Sequence, residues 1–263
     1  MEILKTHKLK TVKQLIELDL QGKIKLDIYE SLYYAYICNS IKIFDLLIKT
    51  YYKSIDFNKQ IDSKHTLLYY MIFIKSKCLN FILINVKIDN LHISSIFHDL
   101  CRYSTLKSVK LFISIIKSSV IKELIIKKIY EYSPLENACF NKLNIVKYLL
   151  NFIIFDSNLI NINIFCRSEK ENIIKYLLEN FKFNLNKQNE YGYTIMQYIH
   201  NLNIAKMLFK YDGNIDLEIK NQYNYKSIDY IYDIKIYKFL VKYTKAYNII
   251  FENPEIFKFI NKN

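Results

Sequence analysis

His98, Asp99 and Cys101 form the tightest group of chemistry-bearing residues in the chain. On a helix His98 and Cys101 share one face, the placement that metal ligands or a thiol nucleophile and its base would need. Little else supports such chemistry. The other histidines, His7, His65, His92 and His200, are scattered. Cys38, Cys78, Cys101, Cys139 and Cys166 are widely spaced and contain no Cys-x-x-Cys pair, which removes zinc-ribbon and thioredoxin-like readings. Gly22, Gly192 and Gly213 stand alone, so no glycine loop cradles a phosphate. No two acids share a setting that would drive their pKa values apart. The expectation is a chain that is not an enzyme, with no catalytic residue, no metal and no cofactor.

A second group invites binding instead of reaction. Tyr191, Tyr193, Tyr223 and Tyr225 lie beside Lys187, Gln188, Glu190, Lys220 and Gln222. Tyrosine gives a large, stiff, amphipathic contact area and is enriched at protein interfaces. These nine residues are the candidate partner-binding set. The competing explanation is plain abundance, because the chain holds 24 tyrosines.

Bulk properties narrow the class. Hydrophobic residues make up 51% of the 263, ample for a buried core, and 3 Gly and 2 Pro disfavour long linkers and a turn-rich β fold. The net charge of +13 could attract nucleic acid or an acidic partner. Yet arginine occurs only at Arg102 and Arg167, and lysine lacks the planar fork that reads phosphate and guanine. Solvated lysine faces and A/T-rich codon usage explain the charge more simply, which leaves nucleic acid as the alternative partner. Met1–Lys5 lack the apolar run of a signal peptide, and Thr66–Ile74 is about half a membrane span. No membrane association is expected, and the cysteine usage points to a reducing intracellular compartment, cytoplasmic or nuclear.

The elements that position these residues recur. Taking Ala138 as a register mark gives the series Ala35, Met71, Leu100, Ala138, Cys166, Ile199 and Ile231, spaced 28 to 38 residues apart and close to 33 on average. After each mark comes an apolar cluster at helical spacing, such as Ile43-Phe44 with Leu46-Leu47, or Ile145-Val146 with Leu149-Leu150. Each unit therefore reads as a short helix, a tight turn and a second helix. Asn39, Asn141 and Asn201 stand at or beside the turns, where asparagine tolerates left-handed backbone. Polar segments before Thr66, Thr194 and Lys226 suit hairpin-like loops. A unit this short cannot bury its apolar face alone and must stack on its neighbours.

The pattern Ser133-Pro134-Leu135-Glu136-Asn137-Ala138 followed by Ile145-Val146-Lys147-Tyr148-Leu149-Leu150 resembles the ankyrin repeat family. Thr194-Ile195-Met196 and Lys226-Ser227-Ile228-Asp229 are further copies, and His98 takes the family's histidine position at a helix start. The resemblance implies an all-α, ankyrin-like repeat solenoid of stacked helix-turn-helix units with short projecting hairpin-like loops. Expected boundaries are an N-terminal capping half-repeat over 1–26, about seven degenerate repeats over 27–243 and a C-terminal capping helix over 244–263. Shortened first helices at Cys166 and Ile199 and a helical insertion over Ser114–Tyr130 depart from the family pattern. By resemblance, the chain is a monomeric, non-enzymatic scaffold that binds a partner protein on its concave face. Its low-glycine style is similar to ankyrin proteins of large DNA viruses, which implies a host-interaction factor.

Overall fold

The computed structural model describes residues 9–62, 65–87, 90–116, 118–127, 132–140, 142–153 and 169–244. The register mark Cys166, the turn residue Asn141 and the expected cap beyond Thr244 lie outside the described residues. Among those described there are helices and turns but no strand, and two isolated antiparallel bridges join Gln60 to Thr66 and Lys220 to Lys226. The chain falls into two compact units, Met1–Ala138 and Cys139–Asn263.

In the first unit, α1 (Leu9–Leu20) packs against α3 (Ile41–Tyr51), which pairs with α2 (Ile28–Ile37). Next come α4 (Leu67–Phe73) with α5 (Leu79–Asn85), and α6 (Asn90–Tyr103) with α7 (Leu106–Ile115). First helix lies on first helix, α4 on α6, and second on second, α5 on α7. This is the neighbour-on-neighbour packing that short amphipathic units require. In α3 the stripe Ile43, Phe44, Leu47, Ile48 and Tyr51 is buried, as the 3.6-residue period dictates. The insertion after α7 carries α8 (Ser118–Ile126).

Local chemistry starts and stops these helices. The Asp27 side chain caps α2 by accepting from the Glu30 N–H at 3.0 Å, and Thr105 caps α7 through Ser108 N–H at 3.3 Å. Helix α2 ends where Asn39 turns left-handed, with φ 50°. Lys75 and Glu169, at φ 57° and 53°, take the same conformation without being turn residues by type. Asn201 corrects the sequence expectation. Its φ is −125°, and it acts as a helix cap, its Oδ1 accepting from the N–H groups of Asn203 and Ile204. His98 does not stand at a helix start either, because α6 begins at Asn90 and carries it in its interior.

In the second unit the second helices Leu143–Leu150, Glu171–Asn180, Leu202–Tyr211 and Ile234–Thr244 pack in succession. Two first helices shrink to single 3-10 turns, Ile195–Tyr198 and Ser227–Tyr230, which lie against each other. Each described register mark is buried, from Ala35, Met71, Leu100 and Ala138 to Ile199 and Ile231. Burying a residue of leucine size contributes about 1.5–3 kcal/mol, so Met71, Leu100, Ile199 and Ile231 carry real packing energy, whereas Ala35 and Ala138 allow close approach.

Candidate protein-binding surface

Two loops of the second unit repeat one construction. Asn189 Oδ1 accepts from the N–H groups of Tyr191 and Tyr193 at 3.0 and 2.9 Å, and Asn189 N–H donates to the Tyr193 carbonyl at 2.9 Å. Asn221 does the same one repeat later, its Oδ1 accepting from Tyr223 and Tyr225 at 2.9 and 3.1 Å and its N–H donating to the Tyr225 carbonyl at 3.0 Å. Each asparagine also spends its amide Nδ2 on a phenol, Asn189 on Tyr198 and Asn221 on Tyr230, both at 2.8 Å. One side chain thus folds each loop around itself and ties it to the 3-10 turn that follows.

The two loops are also bonded to each other. Gln222 N–H donates to the Tyr191 carbonyl at 3.2 Å, and Gln188 Nε2 donates to the carbonyls of Gly192 and Lys220 at 2.7 and 2.9 Å. Gly192 makes that approach possible. Its φ is +76°, and a Cβ there would lie 2.9 Å from Gln222 N and 3.0 Å from Asn221 Cα. In the second loop Asn224 takes the equivalent place with φ 66°. Beneath the loops, the Thr194 and Ser227 hydroxyls meet at 2.9 Å, both buried.

This frame sorts the expected residues. Tyr191, Tyr223 and Tyr225 project, at 51%, 60% and 55% exposure, with Gln188, Glu190, Lys220 and Gln222 exposed beside them. Lys187 is half-buried. Tyr193 turns inward. Its ring lies 5.6 Å from Tyr198 and 5.5 Å from Tyr230, and its hydroxyl accepts from the Tyr230 hydroxyl at 3.2 Å. That bond and then burial push its phenol up to about 12. Tyr193 is therefore part of the support and not of the contact face. Sequence reasoning passed over Asn189 and Asn221, although the pattern Asn-x-Tyr-Gly/Asn-Tyr stands twice in the chain. Tyr232, at 85% exposure, was missed as well.

A second aromatic group, also missed, lies on the first helices of the first unit. The Tyr36 and Tyr70 rings sit 4.3 Å apart, Phe73 lies 6.0 Å from Tyr36 and 5.3 Å from Tyr103, and Tyr69 stacks on His65 at 4.0 Å. These rings recur at the repeat period on α2, α4 and α6, a signal visible in the sequence once the register is drawn.

The His98, Asp99 and Cys101 group is placed differently from a reactive site. Cys101 is fully buried, and desolvation holds its thiol well above the ordinary range, so the thiolate that nucleophilic attack needs is suppressed. His98 Nδ1 lies 3.2 Å from Asp99 Oδ1. Among the described residues, no three His, Cys, Asp or Glu are grouped to hold a metal ion, and no helix is long and apolar enough to cross a membrane.

No protein-family model matches the sequence, and no curated protein does. Solved structures match the fold. The human ASB11 ankyrin repeat domain superimposes with a TM-score of 0.58 at 14% identity, covering 83% of this chain and 98% of that one. The ankyrin repeat domain of Bcl-3 aligns at 17% identity over 90% of this chain and 95% of its own, with a TM-score of 0.41 that adds no weight. The chain has the ankyrin repeat fold.

Proposed function

We propose that this protein is a non-enzymatic scaffold that binds a partner protein through the loop tips of its second unit. One observation carries this reading. Three exposed tyrosines, Tyr191, Tyr223 and Tyr225, stand on a pair of loops already fixed by side-chain and backbone hydrogen bonds. A rigid loop has little conformational entropy left to lose on association, so each ring contributes more of its contact energy. Lys220, Gln222, Gln188 and Glu190 form the polar rim that such a centre needs. The array of about seven repeats acts as a monomer in this reading, and a host protein is the partner that the viral style of the sequence suggests.

The test is capture from an extract of the native cell on the immobilised full chain, at low and high ionic strength, with Tyr223→Ala/Tyr225→Ala as the comparison. A protein retained at both salts and lost from the double variant supports the reading. Retention indifferent to the double variant contradicts it. So does dominant retention of nucleic acid that collapses with salt, since phosphate binding is driven by counterion release.

A further inference from the structure

A cavity of about 630 Å³ opens in the first unit where the inserted helix α8 meets α5, α6 and α7. Val120, Glu123 and Leu124 of α8 and Lys127 just after it line one side, their spacings of three and four residues placing them on a common face. The floor is buried and apolar, formed by Leu83, Leu124 and Phe112, whose ring stacks on Phe97. Ile84, Ile115 and Val120 also line the cavity, yet stay 62%, 47% and 38% exposed, so a cluster of apolar surface is left open to a guest. We infer that this cavity binds the hydrocarbon chain of a free fatty acid, with its carboxylate held by Lys87 and Lys127.

Size, lining and charge together select this occupant. The volume falls within the range of about 300–1,000 Å³ that small-molecule sites take, and a space between helices is a usual place for one. The apolar lining is aliphatic apart from Phe112, and among the described residues Ser94 is its one uncharged polar side chain. A peptide segment seated here would bury N–H and C=O groups with almost no partner, a cost that a hydrocarbon chain does not carry. The edge sets the head group. Lys87, Lys127 and Glu123 are exposed, and none of the three is in an ion pair among the described residues. Together they leave one positive charge, which a single carboxylate balances. The site goes beyond the protein-binding reading and shares no residue with the tyrosine loops.

The test is an NMR titration of the full chain with decanoate, 1-decanol and decyltrimethylammonium, and with octanoate and dodecanoate, each kept monomeric. Decanoate should bind one to one and shift the amides of Ile84, Ile115 and Leu124. Each two-carbon extension should tighten binding about tenfold, because every buried CH₂ adds to it. Decanoate should bind about fivefold more tightly than decanol, the size of an exposed charge contact. Lys87→Ala/Lys127→Ala should erase that preference and leave decanol unchanged. Ile115→Gln, at an exposed position, should weaken both ligands. Shifts scattered over the surface, indifference to chain length, or decyltrimethylammonium binding as tightly as decanoate overturns the assignment. Dimerisation of the unliganded chain that Ile84→Lys disperses also overturns it and makes a second copy the occupant. Binding to phosphatidylserine vesicles with no binding of monomeric decanoate overturns the free acid as the source.

Discussion

Gly192 and Gly213 look alike in the sequence and differ in what they do. Gly192 sits at φ +76° with backbone atoms of the next loop where a Cβ would be, whereas a Cβ on Gly213 would meet nothing within 4 Å. Gly192→Ala is therefore expected to cost about 1–3 kcal/mol, from left-handed strain and lost loop contact together. Gly213→Ala should stay within about 1 kcal/mol of the parent, on the stabilising side. Chemical denaturation of the two variants checks both. Asp19 offers a pH test. Its carboxylate accepts from the Tyr51 hydroxyl at 2.7 Å and Leu26 N–H at 2.8 Å, and these bonds, the phenol first, hold it below the usual range. A carboxyl lowered on folding stabilises above its unfolded pKa and loses that contribution as pH falls through the folded value. Melting temperature should thus drop between roughly pH 4 and pH 2 more steeply in the parent than in Asp19→Asn. Equal slopes would contradict the role given to Asp19.

At the level of elements, side-chain caps mark where several of the helices begin. Ser133 and Glu136 satisfy each other reciprocally, Ser133 N–H to Glu136 Oε2 at 2.6 Å and Glu136 N–H to Ser133 Oγ at 3.3 Å. Gln197 and Asp229 accept from the backbone of Thr194 and Lys226 in the same way, at 2.6 and 2.8 Å. Thr194 has a further duty toward Ser227 in the next repeat. Thr194→Ala should cost about 1–2 kcal/mol, with thermal melts of Thr194→Ala, Ser227→Ala and the double variant showing non-additivity between them. Additive losses would mean that the two hydroxyls do not couple the repeats.

The same elements show what the sequence could and could not reveal. The second helices were legible because Ile145, Val146, Leu149 and Leu150 repeat a stripe that only a buried helix face explains. The tyrosine loops were legible as a cluster, but their inner and outer members were not. Tyr193 and Tyr191 differ by orientation, which the contacts of the Tyr193 ring and hydroxyl with Tyr198 and Tyr230 mark and composition does not encode. The expected helix start at His98 failed because α6 extends back to Asn90, and Ser95 donates its hydroxyl to the His92 carbonyl within the helix and does not cap a new start. Lys75 and Glu169 take left-handed turns that their residue types do not signal, so composition gives no sign of them.

Across the whole molecule, stability is expected to be local and cumulative. Asp45 of α3 is buried and accepts from the Ser76 hydroxyl at 2.5 Å and Lys77 N–H at 3.3 Å, tying one repeat of the first unit to the turn of the next. In the second unit Glu171 accepts from the Asn201 and Asn203 side chains at 3.1 and 3.0 Å, and Tyr211 reaches back to Phe183 N–H at 2.8 Å. Such links join neighbours only, so a repeat at an end depends on whatever covers its open face. The most direct measurement is a chain cut after Lys210. The cut removes the Asn221 loop, the Ser227–Tyr230 turn and the helix from Ile234, and with them Phe239, whose ring meets Phe209 at 5.7 Å. Light scattering and circular dichroism on this fragment should show association and loss of helix beyond the residues removed, because Ile204 and Leu208 would lose their cover. A fragment that stays monomeric with its remaining helices intact would contradict the nearest-neighbour account.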